Sequence, residues 1–246
     1  MKILKYILIV LIFCAVAFLF FRYEKGKIAE APVVSDPVVN NTGQKVELCF
    51  AQFSKPNENV LYDKFTLLLI LDGEKATGEL NFVPGEKDSK TGEIEGTVAP
   101  VDKKTMTRTA DLWWYTYGEG INAKEQIKII FGEGVASIGA GELIDRGDGV
   151  YVYQDPNNLH WDLKFNDISC LDLAERVNVE EYLKENIATI SPMKAVLGGT
   201  WYIFSNVIDL EKNSGTIIYE DGHVQEKRTY LYTTNEKREV TSLTIN

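Results

Sequence analysis

The sequence predicts a mainly β protein: an N-terminal transmembrane helix, then an antiparallel β-barrel or sandwich, then a small α+β module. Three observations lead to this fold class. An apolar run of helix length opens the chain at residues 3–21. From residue 45 onward, apolar and polar side chains alternate in short segments separated by turn residues, which is typical of antiparallel strands. Near residue 178 the apolar spacing changes to that of a helix before strand-like segments resume.

The composition is that of a folded protein. The chain has 246 residues, of which 45% are hydrophobic and 25% are charged, and its net charge is -10. These values exclude a wholly disordered chain, a collagen-like chain and a disulfide-dense miniprotein. An acidic surface lacks the clustered Lys and Arg that neutralise phosphates, so we expect no nucleic-acid partner.

The opening segment is predicted to be a membrane anchor. Residues 3–21 are apolar apart from Lys5, and a helix of that length spans about 28 Å, close to the roughly 30 Å hydrocarbon core of a bilayer. A cleaved signal peptide would need small residues soon after the run, but Arg22 follows it directly and the first small pair is Ala29 and Ala31. We therefore predict an uncleaved signal anchor; a cleaved signal peptide, a lipoprotein and a buried core helix are the alternatives.

The cysteines bear on orientation, which the basic residues on both flanks of the anchor do not decide. Outside the anchor the chain has only Cys49 and Cys170. A disulfide between them would close a loop of 121 residues and contribute roughly 4–5 kcal/mol; two unpaired buried thiols are the alternative. We favour the disulfide, and with it a single-pass protein of the cell membrane whose C-terminal part is extracytoplasmic.

Four regions are predicted along the chain. They are the anchor with its basic flanks at 1–27, an extended linker at 28–44, the barrel or sandwich at 45–175, and the module at 176–246. The anchor region carries a net charge of +4, which leaves -14 for the remainder of the chain. An anionic membrane surface attracts the basic anchor region and repels the acidic remainder, so we expect the acidic part to stand away from the bilayer.

The strand and helix signals give the two folded regions their content. About eight or nine strands are predicted between residues 45 and 170, which is enough to close a barrel; two of them are predicted at 107–117 and 127–131. In the second region, Asn178 with Glu181 three residues later matches a capping box that would start a helix, and four strands follow. The Asp221-Gly222 pair predicts a hairpin turn between two of these strands.

Four stretches of the chain are distinctive: GELNFVPGEKDSKTGEIEGTV at 78–98, RTADLWWYTYGEG at 108–120, DRGDGVYVY at 145–153 and YEDGHV at 219–224. They resemble stretches of a group of membrane-anchored proteins from small-genome, candidate-phyla bacteria. The resemblance covers most of residues 45–232 and implies a bacterial cell-envelope protein. The group has no known activity, so the resemblance transfers no functional residue.

The candidate ligand-binding residues are Trp113, Trp114 and Tyr115. On a strand Trp113 and Tyr115 face one way and Trp114 the other, so one tryptophan is expected in the core while the other is free to contact a ligand. The expected ligand is a small apolar molecule, a sugar or an envelope protein, bound at this patch or in the mouth of a barrel. A ligand in the mouth requires an apolar cavity there, and a solid core would favour interaction with a protein.

Signals for catalysis and cofactors are weak. His223 lies beside Glu220 and Asp221 in the predicted turn, but these are ordinary turn residues, and we predict no metal and no cofactor. His160 is expected at the surface because its neighbours alternate inward. The preferred hypothesis is a non-enzymatic binding protein of the envelope. The alternative is an enzyme that acts on envelope polymers through paired carboxylates, one of them with a raised pKa.

Overall fold

A computed structural model describes residues 45–118 and 120–246 of the chain. The predicted anchor at 1–27 and the predicted linker at 28–44 lie outside these residues. Within the described ranges, no helix is both long enough and apolar enough to cross a membrane.

The first part of the chain forms ten strands. They are β1 (Val46–Phe53), β2 (Lys64–Asp72), β3 (Lys75–Val83), β4 (Lys90–Val98), β5 (Arg108–Gly118), β6 (Ile121–Gly132), β7 (Val135–Ala140), β8 (Leu143–Asp145), β9 (Val150–Tyr153) and β10 (His160–Ile168). Eight of them close an antiparallel barrel in the order β1-β2-β3-β4-β5-β6-β7-β10, with β10 returning to β1 and β5 joined to β6. The prediction of an antiparallel β fold is confirmed, and the architecture is the barrel rather than the sandwich.

The barrel is closed by a simple meander with one insertion. The β8–β9 hairpin interrupts the path from β7 to β10, and β9 pairs in parallel with the start of β6 through Lys124↔Val150 and Glu125↔Tyr151. Strand β6 therefore has two neighbours on one edge: β9 along its first half, and β7 from Ile129 to Gly132. The insertion fills the place that a longer β7 would occupy.

The side chains that point inward from each strand fill the barrel interior. Along β5, Ala110, Leu112 and Trp114 are buried while Tyr115 and Tyr117 are exposed, because successive side chains of a strand point to opposite faces. The other strands contribute in the same way. The interior core consists of Phe50, Leu67, Leu69, Leu71, Ala76, Leu80, Ile94, Val98, Ala110, Leu112, Trp114, Ile127, Ile129, Phe131, Ala136, Ile138 and Phe165. Small barrels of eight strands are commonly packed solid in this manner.

The two ends of the barrel differ in what they carry. Residue 45 leads into β1 at the end formed by the turns 72–75 and 132–135, which we call the entry end. The opposite end is formed by the segments 54–63 and 84–89 and by the β5–β6 hairpin, and we call it the mouth end. Because eight strands alternate in direction, β10 returns the chain to the entry end.

A helix and a second sheet follow the barrel. Helix α1 runs over Cys170–Ile190, and the strands are β11 (Tyr202–Asp209), β12 (Ser214–Glu220), β13 (Gln225–Thr234) and β14 (Val240–Ile245), in that order in the sheet. Val179, Leu183 and Ile187 line one side of α1 and belong to the same buried cluster as Tyr219 and Tyr230 of the sheet. The apolar stripe of the helix thus packs into the core of this module, to which the second sheet contributes most of the buried side chains.

The start of the helix differs from the prediction. Helix α1 begins at Cys170 after Ser169, and it continues across the predicted boundary between residues 175 and 176. Asn178 lies in its middle, so the capping-box interpretation of Asn178 and Glu181 is wrong. The Asn178 side chain instead donates from Nδ2 to the carbonyl oxygen of Arg238 at 2.8 Å, which links the helix to the turn before β14.

The predicted disulfide is present. Cys49 of β1 and Cys170 at the first position of α1 are bonded, with their Cα atoms 5.2 Å apart. Beyond the bridge, the helix runs along β1 toward the mouth end. The Arg176 guanidinium stacks 4.7 Å from the centre of the Phe53 ring, and Lys64 Nζ lies 2.8 Å from Glu180 Oε1. These contacts join the barrel to the helix along its length.

A fully buried acidic group ties the helix to its sheet. The Glu175 side chain accepts from the Tyr232 hydroxyl at 2.8 Å and from Arg238 Nη1 at 2.6 Å. A buried carboxylate is tolerated only when it is paired and hydrogen-bonded, and Glu175 meets both conditions. Glu175, Tyr232 and Arg238 come from three separate segments of the module, so they fix the position of α1 over the sheet.

Candidate functional site

The outer face of β5 carries a row of aromatic side chains. Trp113, Tyr115 and Tyr117 point away from the barrel interior, and we call them the aromatic strip. Tyr115 is 37% exposed and Tyr117 is 60% exposed, while Trp113 is half-buried. The strip ends at the β5–β6 hairpin, on the rim of the mouth end. Aromatic rings on a strand are held rigidly, since β5 is hydrogen-bonded on both edges to β4 and β6.

Charged side chains border the strip. Lys124 of β6 pairs in register with Tyr115, and its Nζ atom lies 4.8 Å from the ring centres of both Trp113 and Tyr115. On the other side the Tyr115 hydroxyl donates to the Glu95 carboxylate of β4. The strip therefore combines ring faces and edges with one cation and one hydrogen-bonded anion. Such a surface has apolar area for contact and polar groups for orientation.

Trp114 occupies the opposite face, in the core. It is 3% exposed, its Nε1 donates to the Leu80 carbonyl at 3.1 Å, and its ring packs edge-on against Phe82 at 5.2 Å. Of the three predicted ligand-binding residues, Trp113 and Tyr115 are thus brought together on the outer face, while Trp114 is part of the packing beneath them.

The mouth end opens into a depression of about 280 Å³. It is lined by Asp88, Ser89, Lys90, Thr116, Gly118, Ile121, Ala123, Glu125 and Tyr151. The lining mixes polar and apolar groups, so it is not the purely apolar cavity that a ligand in the mouth was expected to need. Beneath it the aromatic and aliphatic core fills the barrel.

An ion pair lies at the bottom of this depression. Lys90 and Glu125 point into the barrel, and Lys90 Nζ is 2.5 and 2.6 Å from the two carboxylate oxygens of Glu125. The Glu125 side chain is only 12% exposed. The ammonium also lies 5.1 Å from the Trp114 ring centre, so the pair closes the hydrophobic core at this end. Sequence reasoning missed both residues.

A signal for Glu125 was present in the sequence. Glu125 has the same parity as Ile127, Ile129 and Phe131, and these three are all buried inside the barrel. Extending that alternation two residues toward the N-terminus places Glu125 inside as well. Strand β6 was predicted only from residue 127 because the alternation of apolar residues stops there.

The histidines do not form a site with other metal-binding groups. Over residues 45–118 and 120–246, no group of three or more His, Cys, Asp or Glu side chains is placed to hold a metal ion. Asp221 instead accepts from the backbone N–H groups of Val196, His223 and Val224 at 2.6, 2.9 and 2.8 Å. The first and third of these bonds are the main reason that the pKa of Asp221 is lowered. Asp221 thus organises the turn as an ionised carboxylate.

The carboxyl groups with resolved pKa shifts do not have the character of a general acid. Hydrogen bonding to Lys212 lowers the pKa of Asp209, and the backbone bonds described above lower that of Asp221. A general acid needs a pKa raised toward neutrality. Neither carboxyl group therefore supports the paired-carboxylate hypothesis.

The chain was compared with models of protein families, with characterised proteins and with solved structures. No family model, no protein and no structure matches it.

Proposed function

We propose that this is a non-enzymatic binding protein of the cell envelope, held at the membrane by residues 3–21, which recognises a carbohydrate chain with its aromatic strip. The observation that carries the proposal is the strip itself. Tyr115 and Tyr117 expose large rings on a rigid strand, and Lys124 and Glu95 stand beside them.

The chemistry of the strip suits a sugar. One face of a pyranose ring presents mainly C–H groups, which pack favourably against an aromatic ring, while its hydroxyls lie at the edge. Lys124 supplies donors and Glu95 supplies acceptors at the border of the rings, where those hydroxyls would lie. Rings that are already held in place lose little side-chain entropy on binding.

The filled barrel favours binding at the surface. A solid core was expected to favour a protein partner, but the polar groups beside the exposed rings favour a sugar. Leu67, Leu69, Leu80, Ile129 and Phe165 are fully buried at the centre of the barrel, and close-packed interiors leave no space of ligand size. A ligand of the barrel therefore has to use the outer face or the shallow mouth, and the strip reaches both.

The topology suits a protein that reaches away from a membrane. The predicted linker at 28–44 joins the barrel at the entry end, whereas Tyr117 lies at the mouth end. The Cys49–Cys170 disulfide supports an oxidising, extracytoplasmic compartment, because disulfides are rare in the reducing cytosol.

The test uses the full-length protein in lipid nanodiscs, titrated calorimetrically with three tetrasaccharides: β-1,4-linked N-acetylglucosamine, β-1,4-linked glucose and α-1,4-linked glucose. We expect binding to at least one. The double variant Tyr115→Ala/Tyr117→Ala should weaken it about tenfold or more, since each ring contact contributes about 0.5–1.5 kcal/mol. Leu231→Ala is the matched control, because Leu231 is 56% exposed on the second sheet. Absence of binding to all three sugars, or equal binding by the double variant, would refute the proposal.

A further inference from the structure

The depression at the mouth end is a small, open cavity lined by both polar and apolar groups, and its lining includes the ion pair between the partly exposed Lys90 and the mostly buried Glu125. We infer that it is a second subsite, which takes one uncharged sugar ring at the end of the chain that lies on the aromatic strip. This inference rests on the proposed function, since it assigns a further part of the same ligand.

The mouth lies next to the aromatic strip, and this position is the first reason to assign it to the same ligand. Tyr117 ends the strip on the outer face of the β5–β6 hairpin, and Gly118 and Ile121 of the same hairpin line the mouth. On β6, Lys124 borders the strip while its neighbour Glu125 points into the mouth. The two surfaces therefore meet across the rim formed by one hairpin.

The size of the mouth is the second reason, because it matches one sugar unit. A volume of about 280 Å³ corresponds to about nine water molecules in the liquid. A depression of this volume has room for about one monosaccharide unit. The opening at the rim is where the rest of a chain would leave toward the strip.

The charged groups around the mouth are the third reason, because they favour an uncharged ligand. Lys90 and Glu125 neutralise each other, and Asp88 on the lining adds a negative charge in a chain whose net charge is -10. A phosphate or a carboxylate would be repelled by this field. A cation would have to compete with Lys90 for Glu125, which the ammonium already contacts with both oxygens.

The hydrogen-bonding groups of the mouth are the last reason, because they can bind the hydroxyl groups of a sugar. An ammonium has three N–H donors, and the described contacts of Lys90 engage the two oxygens of Glu125. Thr116 donates to the Ala123 carbonyl at 3.3 Å, and its oxygen keeps acceptor capacity. Donors and acceptors thus stand together beside the Ile121 and Tyr151 side chains, a mixture that matches the alternating hydroxyl and C–H groups of a sugar.

The experiment compares chain ends with chain interiors, using the full-length protein in nanodiscs. The tetrasaccharide bound most tightly above is titrated alongside a long polymer of the same sugar, which has few ends. The variants are Lys90→Met/Glu125→Met, which replaces the ion pair as a unit, and Ile121→Arg, which places a bulky side chain at the rim. Ile121 is 63% exposed, so the second variant keeps the test valid if the first does not fold. Leu231→Arg is the control for the added charge.

We expect both mouth variants to bind the tetrasaccharide about tenfold more weakly or worse, while their binding to the long polymer, counted per protein, stays unchanged. Tetrasaccharide binding equal to that of the native protein would overturn the subsite and leave the strip proposal standing. Loss of polymer binding in step with the tetrasaccharide would overturn it as well, because the mouth would then not be specific for ends. If the native protein binds neither sugar, both proposals are wrong.

Discussion

At the scale of single residues, the charged groups inside this protein are placed where they join segments. Glu175 is buried with Tyr232 and Arg238 around it, and Glu125 is held by Lys90 at the barrel mouth. Both carboxylates interrupt an otherwise apolar face of their element. In each case the partner comes from a distant part of the chain, so the pair fixes one element against another.

Replacing Arg238 by alanine should destabilise the module. Glu175 would remain buried without its cation, a situation that reduces stability by roughly 3–5 kcal/mol when both partners are buried. Arg238 is 38% exposed, so water replaces part of its contribution and we expect a loss of about 2 kcal/mol. Chemical denaturation measures the change. Lys212→Ala, in the exposed pair with Asp209, should leave stability almost unchanged; equal losses would contradict the assignment.

Buried tyrosines should make the protein unstable in alkali. Burial raises the pKa of Tyr62 and of Tyr230 far above the ordinary value of 10.0. A raised phenol pKa means that the unfolded chain loses its protons first, so stability is complete below pH 10 and falls as the pH rises beyond it. Each such group contributes about 1.4 kcal/mol per pH unit.

The measurement is the free energy of unfolding at pH 8 and at pH 11, for the native protein and for Tyr62→Phe. Lysine titration affects both proteins equally, so the difference isolates the phenol. We expect the variant to lose about 1.4 kcal/mol less than the native protein over this interval. Identical pH profiles would show that Tyr62 is accessible to water in the folded protein.

At the scale of elements, the sequence predicts what depends on alternation and fails where alternation stops. Strand β5 was predicted as 107–117 and is found at Arg108–Gly118, because residues 112–115 form a strongly β-prone aromatic run. Strand β6 was predicted only from 127, because Glu125 breaks the apolar pattern. The start of α1 was misplaced, because Asn178 and Glu181 imitate a capping box in mid-helix.

In the candidate site too, features that depend on alternation along one strand were predictable, and features that depend on the pairing of strands were not. The outward direction of Trp113 and Tyr115 was predictable from the period of two. The position of Lys124 beside the two rings was not predictable, because it depends on the pairing register of β5 with β6. The mouth was not predictable either, since Lys90 and Glu125 lie 35 residues apart and meet across β5, which is paired with β4 on one edge and β6 on the other.

The barrel strands should be sensitive to one glycine in particular. A Cβ atom on Gly92 of β4 would lie 1.8 Å from the carbonyl oxygen of Tyr115 on β5, a distance that no relaxation of a side chain can relieve. We expect Gly92→Ala to reduce the free energy of unfolding by at least about 3 kcal/mol, or to prevent folding.

The matched control for this prediction is Gly120→Ala. Gly120 also has a positive φ, of 75°, but its Cβ would meet nothing within 4 Å, so only backbone strain of about 1 kcal/mol is expected. Thermal and chemical unfolding of the two variants give the comparison. Equal stability of both would show that β4 can move away from β5 without loss.

At the scale of the whole molecule, the disulfide should be a main source of stability. It closes 121 residues, and its loss should reduce stability by about 5 kcal/mol in the chain-entropy model. Cys49→Ser/Cys170→Ser is compared with Cys14→Ser by chemical denaturation of the full chain in detergent. We expect the loss only in the first variant, and only it should be insensitive to added reductant.

The proposed location has its own measurement. If residues 3–21 anchor the chain with its acidic part outside, protease added to intact cells should degrade the barrel, and membranes should retain the uncut chain after washing in high salt. Protection from protease in intact cells, or recovery of a shortened, water-soluble chain, would contradict the proposed topology.

The bridge between Cys49 and Cys170 also decides how the molecule carries mechanical load. Cys49 lies four residues after Lys45, and Cys170 is the first residue of the helix that leads to the second sheet. A pull applied at residue 45 and resisted at the module therefore runs through the start of β1, across one covalent bond and along α1. The hydrogen-bonded ladders of the barrel are left out of that path. Tension on this protein would leave the aromatic strip undistorted for as long as the bridge stays oxidised.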